Sequence, residues 1–185
     1  MDTNEKQQRL QTRLEPEIVE FRQQCRTLQL ATVDESGEPT VSYAPFVYNE
    51  LGYFVLISEI AQHARNLKQN PKLSMMMIAD ESQSKQLYAR KRLTFAAHAN
   101  QVERDTPLWQ RVLTQLDARF GDIIGKVSQM KDFKLYQFTT DHGLYVKGFG
   151  QAYQVSNADL VDVVHLDEGH QPMTSIPEFD ALQNA

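Results

Sequence analysis

Apolar residues along this chain recur first at helical spacing and then at strand spacing. Leu10, Leu14, Ile18, Phe21, Cys25 and Leu28 fall three or four apart and form one stripe of an amphipathic helix. Pro16 suits the start of a helix better than its interior, so a break near Leu14–Glu15 is expected. From Thr27 the period drops to two. TLQLATVD and TVSYAPFVY read as strands around an ESGEP turn; NELG turns again into the strand YFVLIS. IAQHARNLKQNP is a short helix closed by Pro71. KLSMMMIAD and RLTFAAHANQVE are strands on either side of the polar stretch 81–91. Thr106-Pro107 opens a helix with Thr106 as N-cap, buried through Trp109, Val112, Leu113, Leu116 and Phe120. After Gly121, Ile123, Ile124, Val127 and Met130 mark a second short helix. KLYQFTT and LYVKGFGQAYQV complete the set, with DHG as the turn between them. About seven strands with few helices predict a mainly β fold, a closed or nearly closed antiparallel barrel with peripheral helices.

Composition narrows the function classes. The chain has 185 residues, 41% of them hydrophobic, which suits one domain with one core. A net charge of −5 argues against nucleic acid, whose phosphates need a basic field. The polar start MDTNEKQQRL is no signal peptide, and the longest apolar run, about seven residues around LSMMMIA, is too short to span a bilayer. The single cysteine, Cys25, excludes an internal disulfide framework and Cys-rich metal sites; on the helical stripe it reads as a small core residue. A soluble, cytoplasmic protein is expected.

Four stretches carry candidate chemistry. In the strand 92–103, Leu93, Phe95, Ala97 and Ala99 point one way, and Arg92, Thr94, Ala96, His98 and Asn100 the other. The second face is either an ordinary wet surface or a cleft for an anionic cofactor, with Arg92 as charge partner to a phosphate or propionate. In VKGFGQA, Val146, Gly148, Gly150 and Ala152 share a face with almost no side chain, which permits close approach of a helix, a partner subunit or a flat ring. SEIAQHARNLKQNP leads from Ser58 into a helix N-terminus, which favours anions, with His63, Arg65 and Asn66 in its first turns. VVHLDEGHQPM holds His165 and His170, two of the five histidines. A shared zinc lacks further ligands of suitable spacing, whereas one axial imidazole on a haem iron asks for less.

The meander, then S-x4-H-A-R-N-L-x2-N-P, R-L-T, D-F-x-L-Y and G-L-Y-V-x-G-F-G-x-A in that order, resembles the FMN-binding split-barrel superfamily typified by pyridoxamine-phosphate oxidase. More closely it resembles the haem-utilisation branch of the HugZ/HutZ type, over about residues 15–173. The resemblance implies a homodimer of split β-barrels with the cofactor site near the dimer interface. It implies one domain over 1–173, ending in a C-terminal ligand loop, with 174–185 as a flexible tail. It implies haem b as substrate and cofactor, opened with O2 and external electrons to release iron. The iron ligand would be His170, or alternatively His165, with Arg92 at a propionate and Gly148 and Gly150 against the macrocycle. Asp132, possibly from the other subunit, is the candidate acceptor for the second nitrogen of the ligand histidine. Partners implied are an electron donor (a reductase or small reductant) and a haem-delivery protein. The alternatives are a haem carrier or store without turnover, and an FMN-dependent oxidoreductase. Flavin-using relatives carry Lys or Arg after the Ser of the phosphate-binding segment where this chain has His63, and Lys147 stands where the family has a glycine.

Overall fold

The computed structural model describes residues 3–156 and 161–165. His170 and the stretch 166–185 lie outside the described residues. The elements are α1 (Thr3–Gln24), β1 (Thr27–Val33), β2 (Pro39–Pro45), β3 (Val47–Asn49), β4 (Gly52–Ser58), α2 (Gln62–Gln69), β5 (Lys72–Ile78), β6 (Arg92–Val102), α3 (Pro107–Phe120), α4 (Ile123–Val127), β7 (Phe133–Gly148), β8 (Gln151–Ser156) and β9 (Val161–His165). All strand pairings are antiparallel. The ladder runs β2-β1-β5-β6-β7-β4-β3, with β8 added to β7 and β9 to β8. The mainly β fold is as expected, with nine strands among the described residues instead of about seven.

The split in the barrel is made by β7, a strand of 16 residues. Its first part, Phe133–Phe138, pairs with β4; its last part, His142–Gly148, pairs with β8. β6 runs along both parts, and its register slips once: Phe95 faces Gly143, but Ala97 faces Thr140. Two residues of β7, Asp141 and His142, therefore stand against Ala96 alone. That is a β-bulge at the point where β7 changes partner. It corrects the expected DHG turn: the polar, Gly-containing triplet bends a continuous strand, and His142 lies exposed within it.

Alternation then divides the side chains into two cores. Inside the barrel, Leu30, Phe46, Tyr53, Met75, Met77, Leu93, Phe95, Phe138 and Tyr145 pack with Leu14, Ile18 and Phe21 of α1. On the outer side of β4 and β7, Phe54, Leu56 and Leu135 meet Trp109, Val112, Leu116 and Ile124 of α3 and α4. Thr106 caps α3 as expected, accepting from the Trp109 amide at 3.2 Å.

Three local expectations are corrected. α1 runs unbroken through Pro16. An interior proline costs about 3 kcal/mol, but burying Leu14, Ile18 and Phe21 returns roughly 1.5–3 kcal/mol each and holds one straight stripe on the barrel. TVSYAPFVY is two strands, because Phe46 turns into the core at 0% exposure and breaks the pairing. The small-residue face at Gly148, Gly150 and Ala152 is no flat strand: Gly148 ends β7, Gly150 lies in the turn with φ +63, and Ala152 belongs to β8. A two-residue hairpin connection requires positive φ, which glycine adopts without strain.

Candidate functional site

Two places at opposite ends of β7 hold the candidate residues. At its N-terminal end, Asp132 precedes Phe133, and β4 brings Ser58 alongside through the Ser58–Phe133 pairing. The Ser58 hydroxyl donates to Asp132 Oδ2 at 2.6 Å, and the Glu59 amide donates to the Asp132 carbonyl at 2.8 Å. Asp132 is half-buried, and its Oδ1 makes no hydrogen bond among the described residues. A carboxylate fixed through one oxygen with the other open is suited to accept from a ligand N–H.

His63 sits in the first turn of α2, on the segment read as anion-binding. Its Nε2 is buried without a partner, and desolvation lowers its pKa below the ordinary imidazole value. The cations around it are already engaged. Arg65 donates to the Ile60 carbonyl and to Gln62 Oε1; Lys68 and Lys134 each stand 3.7 Å from Glu59. A phosphate placed here would meet a neutral imidazole, a hydroxyl whose proton is given to Asp132, and two carboxylates. The residues at this segment fit an FMN phosphate poorly.

At the other end of β7 stands Arg92, the first residue of β6. As expected, it shares its face with Thr94, Ala96, His98 and Asn100, all half-buried or exposed, while Leu93, Phe95, Ala97 and Ala99 are buried. Arg92 pairs with Ile78 on one side and Val146 on the other, and Val146 pairs with Ala152. Its Nη1 donates to the Arg90 carbonyl at 3.2 Å. One row further in, Tyr145 pairs with Tyr153 and Tyr153 with His165. β9 runs towards the Gly148–Gly150 turn, and its last residue, His165, stands at the end of the sheet that holds Arg92. Three strand spacings separate β9 from β6, roughly 14 Å.

Two cavities adjoin this end. One of about 460 Å³ lies on the open face between Thr94, Ala96, His142, Leu144 and Gln154. The other, about 970 Å³, opens between the end of α1, the 80–91 segment and the β7–β8 turn, and Gly148 lines it. Sequence reading singled out Arg92 and Asp132 as candidates; it gave no sign of the Ser58 bond or of the cations of the larger cavity. Alternation marks one face of one strand; it carries no signal for side chains converging from a helix end, a loop and a hairpin tip.

The geometry also separates the candidates. Asp132 lies 14 residues from Val146 along β7, roughly 45 Å for an extended strand. One chain therefore does not bring Asp132 to Arg92. Among the described residues no group of three or more His, Cys, Asp or Glu stands ready to hold a metal ion.

Comparison with known proteins decides the family. Residues 14–147 match the pyridoxamine 5'-phosphate oxidase family. The chain is 63% identical over 175 residues to the heme oxygenase HutZ of Vibrio cholerae, covering 95% of this chain and 99% of that one. The chain belongs to the haem-utilisation branch of this family. The crystal structure of HutZ, described as the heme storage protein from Vibrio cholerae, superposes with a TM-score of 0.68 at 62% identity, over 70% of this chain and 91% of that one. Campylobacter jejuni ChuZ gives a TM-score of 0.77 at 33% identity, over 85% of this chain and 65% of that one. No described helix is long and apolar enough to cross a membrane.

Proposed function

We propose that this chain is a cytoplasmic haem-degrading oxygenase that works as a homodimer and takes haem between two copies. The observation that carries the reading is the end of β9. Its last described residue, His165, pairs with Tyr153 beside the Gly148–Gly150 turn, at the end of the sheet where Arg92 stands, and His170 follows it in the sequence. His170 lies five positions after His165, a reach of up to roughly 17 Å.

Arg92 suits a propionate: it is always charged, and an ionic hydrogen bond contributes about 1.5–3 kcal/mol. Gly150, at positive φ, lets the hairpin tip present backbone without a side chain. His170 would hold the iron through one ring nitrogen, and Asp132 of the second copy would accept the N–H of the other, at the oxygen that Ser58 leaves open. A carboxylate in that position makes the imidazole a stronger electron donor to the metal. Haem, when bound, supplies the iron centre and is itself the ring opened with O2 and electrons from a reductase or small reductant. The protein supplies orientation, exclusion of water and the proton held between His170 and Asp132.

The second copy has a surface to dock on. Val41 and Tyr43 of β2 are 76% and 68% exposed. They share a face with Ala31 and Gln29 of β1, and through β5 with Thr94 and Ala96. An uncovered sheet face of this kind suits a contact between copies. Lysines at Val41 and Tyr43 are expected to yield monomers in sedimentation and to abolish turnover.

The storage reading, which matches the description of HutZ as a heme storage protein, and the oxygenase reading part on one experiment. Haemin added to the protein gives an intense Soret band under both. With ascorbate and O2 the oxygenase loses that band and releases a bilin-like pigment and free iron, while a store keeps it. A yellow preparation with flavin absorption and no Soret band would replace both with the flavin reading. His170→Ala is expected to remove the ligand-bound spectrum and His165→Ala to retain it; an unchanged spectrum in both would sink the assignment of the ligand.

A further inference from the structure

We propose that the cleft beyond Gly148 is a carboxylate pocket that takes the propionates of the tetrapyrrole, with Lys85 and Lys91 as its unpaired cations. This rests on the haem reading above and adds to it residues from a separate wall. The cleft is lined by Arg26, Lys85, Arg90, Lys91 and Lys147, against one carboxylate, Asp80. In a chain of net charge −5 such a surplus is local and directed.

Most of these charges are already engaged. Asp80 accepts from the Ser82 amide at 2.9 Å and its hydroxyl at 2.6 Å. Arg90 pairs with Glu81 at 2.9 Å, Lys147 with Glu17 at 2.7 Å, and Arg26 donates to the Arg119 carbonyl at 2.9 Å. Lys85 and Lys91 have no carboxylate within ion-pair distance among the described residues. Lys91 is half-buried, with its ammonium 5.8 Å from the Phe21 ring. Its carbonyl accepts from the Ala79 amide at 2.9 Å, which fixes its backbone at the cleft wall.

The apolar side of the ligand is also provided for. Phe21 lines the wall, and Phe149 stands 49% exposed at the hairpin tip. The volume of about 970 Å³ matches a ligand larger than a simple anion. Ile78 lines the cleft and pairs with Arg92, so the two cation sources flank a single strand edge. A dicarboxylate ring would thus meet Arg92 from the sheet and the lysines from the loop. The chain has a second source of carboxylates: residues 166–185 hold Asp167, Glu168, Glu178 and Asp180 and no Lys or Arg.

The test uses metal-free protoporphyrin IX, which needs no iron ligand, and its dimethyl ester, which has no carboxylates. Both are titrated by porphyrin fluorescence into the full chain, Lys85→Ala/Lys91→Ala and Lys85→Arg/Lys91→Arg. The alanine pair is expected to bind the dicarboxylate about tenfold more weakly or worse. The arginine pair should restore binding, and the ester should bind all three alike. The same losses are expected in a chain carrying Asp167→Asn, Glu168→Gln, Glu178→Gln and Asp180→Asn. Equal dicarboxylate affinity in wild type and alanine pair overturns the proposal. So does a lysine effect that vanishes when the four acids are neutralised, since the cleft would then belong to the chain's own acidic segment. In the alanine pair the haemin Soret maximum should keep its position; a protein that takes up no haemin at all would instead overturn the haem reading.

Discussion

The two ends of β7 carry the same kinds of residue and treat them in opposite ways. At the Phe133 end, charges are mutually satisfied: Lys68 and Lys134 flank Glu59, Arg65 is bound within its own turn, and Ser58 holds Asp132. At the Gly148 end, cations outnumber carboxylates along the cleft, and Lys85 and Lys91 have no ion-pair partner among the described residues. The closed end can orient one group, the Asp132 carboxylate; the open end can receive an anion. Because a strand of 16 residues separates them, a site that uses both must join the closed end of one copy to the open end of another.

That division is broken or sharpened most directly by mixing subunits. Arg92→Ala and Asp132→Ala are each expected to lose nearly all haem turnover. Co-refolded in equal amounts, half the dimers would be hybrids, each with one intact and one doubly defective site, so activity returns to about a quarter of wild type. No recovery would mean that both residues act within one chain or that one of them does not act.

Next in size is the joint between the two ends. A Cβ on Gly143 would collide with the Thr94 carbonyl and the Phe95 ring beside the bulge. Gly143→Ala is expected to destabilise the fold by about 3 kcal/mol, read from the urea midpoint. A smaller effect is expected at the closed end. Ser58→Ala removes the 2.6 Å donor to Asp132, at about 1 kcal/mol of stability. It should lower kcat more than it raises the Kd for haemin, because it loosens an orienting group and leaves the propionate contacts alone.

The smallest effect is on pH dependence. Desolvation holds His63 below the usual imidazole pKa, so the unfolded chain takes up its proton at a higher pH than the folded one. Below about pH 6.5 the unfolded state therefore binds more protons, and stability falls as pH drops towards the folded pKa. Above that window the contribution of the neutral imidazole is fully present. His63→Gln should flatten the urea midpoint between pH 7.5 and 5.5 relative to wild type.

Much of this was legible along the chain, and the misreadings share a cause. Alternation located β6 and sorted Arg92 from Leu93; Thr106 marked the start of α3. DHG was misread because a bulge and a turn use the same polar and glycine residues, and only the continued pairing with β6 and β8 tells them apart. Pro16 was misread because the local rule against interior proline yields to a stripe buried against a barrel, with Leu14 and Ile18 two residues to either side. The Gly148 face was misread because alternation assumes that the strand goes on.

Sequence alone determined the antiparallel β class, the period of each element, the sign of the net charge and the residue types able to hold a haem. These follow from local geometry, in which a side chain's direction depends on its nearest neighbours. Tertiary structure alone decided that Asp132 and Arg92 stand at opposite ends of one strand, and that Lys85 and Lys91 from a loop share a cleft with Phe21 from a helix. Those placements depend on which strands pair and where a ladder slips, and no local pattern encodes either.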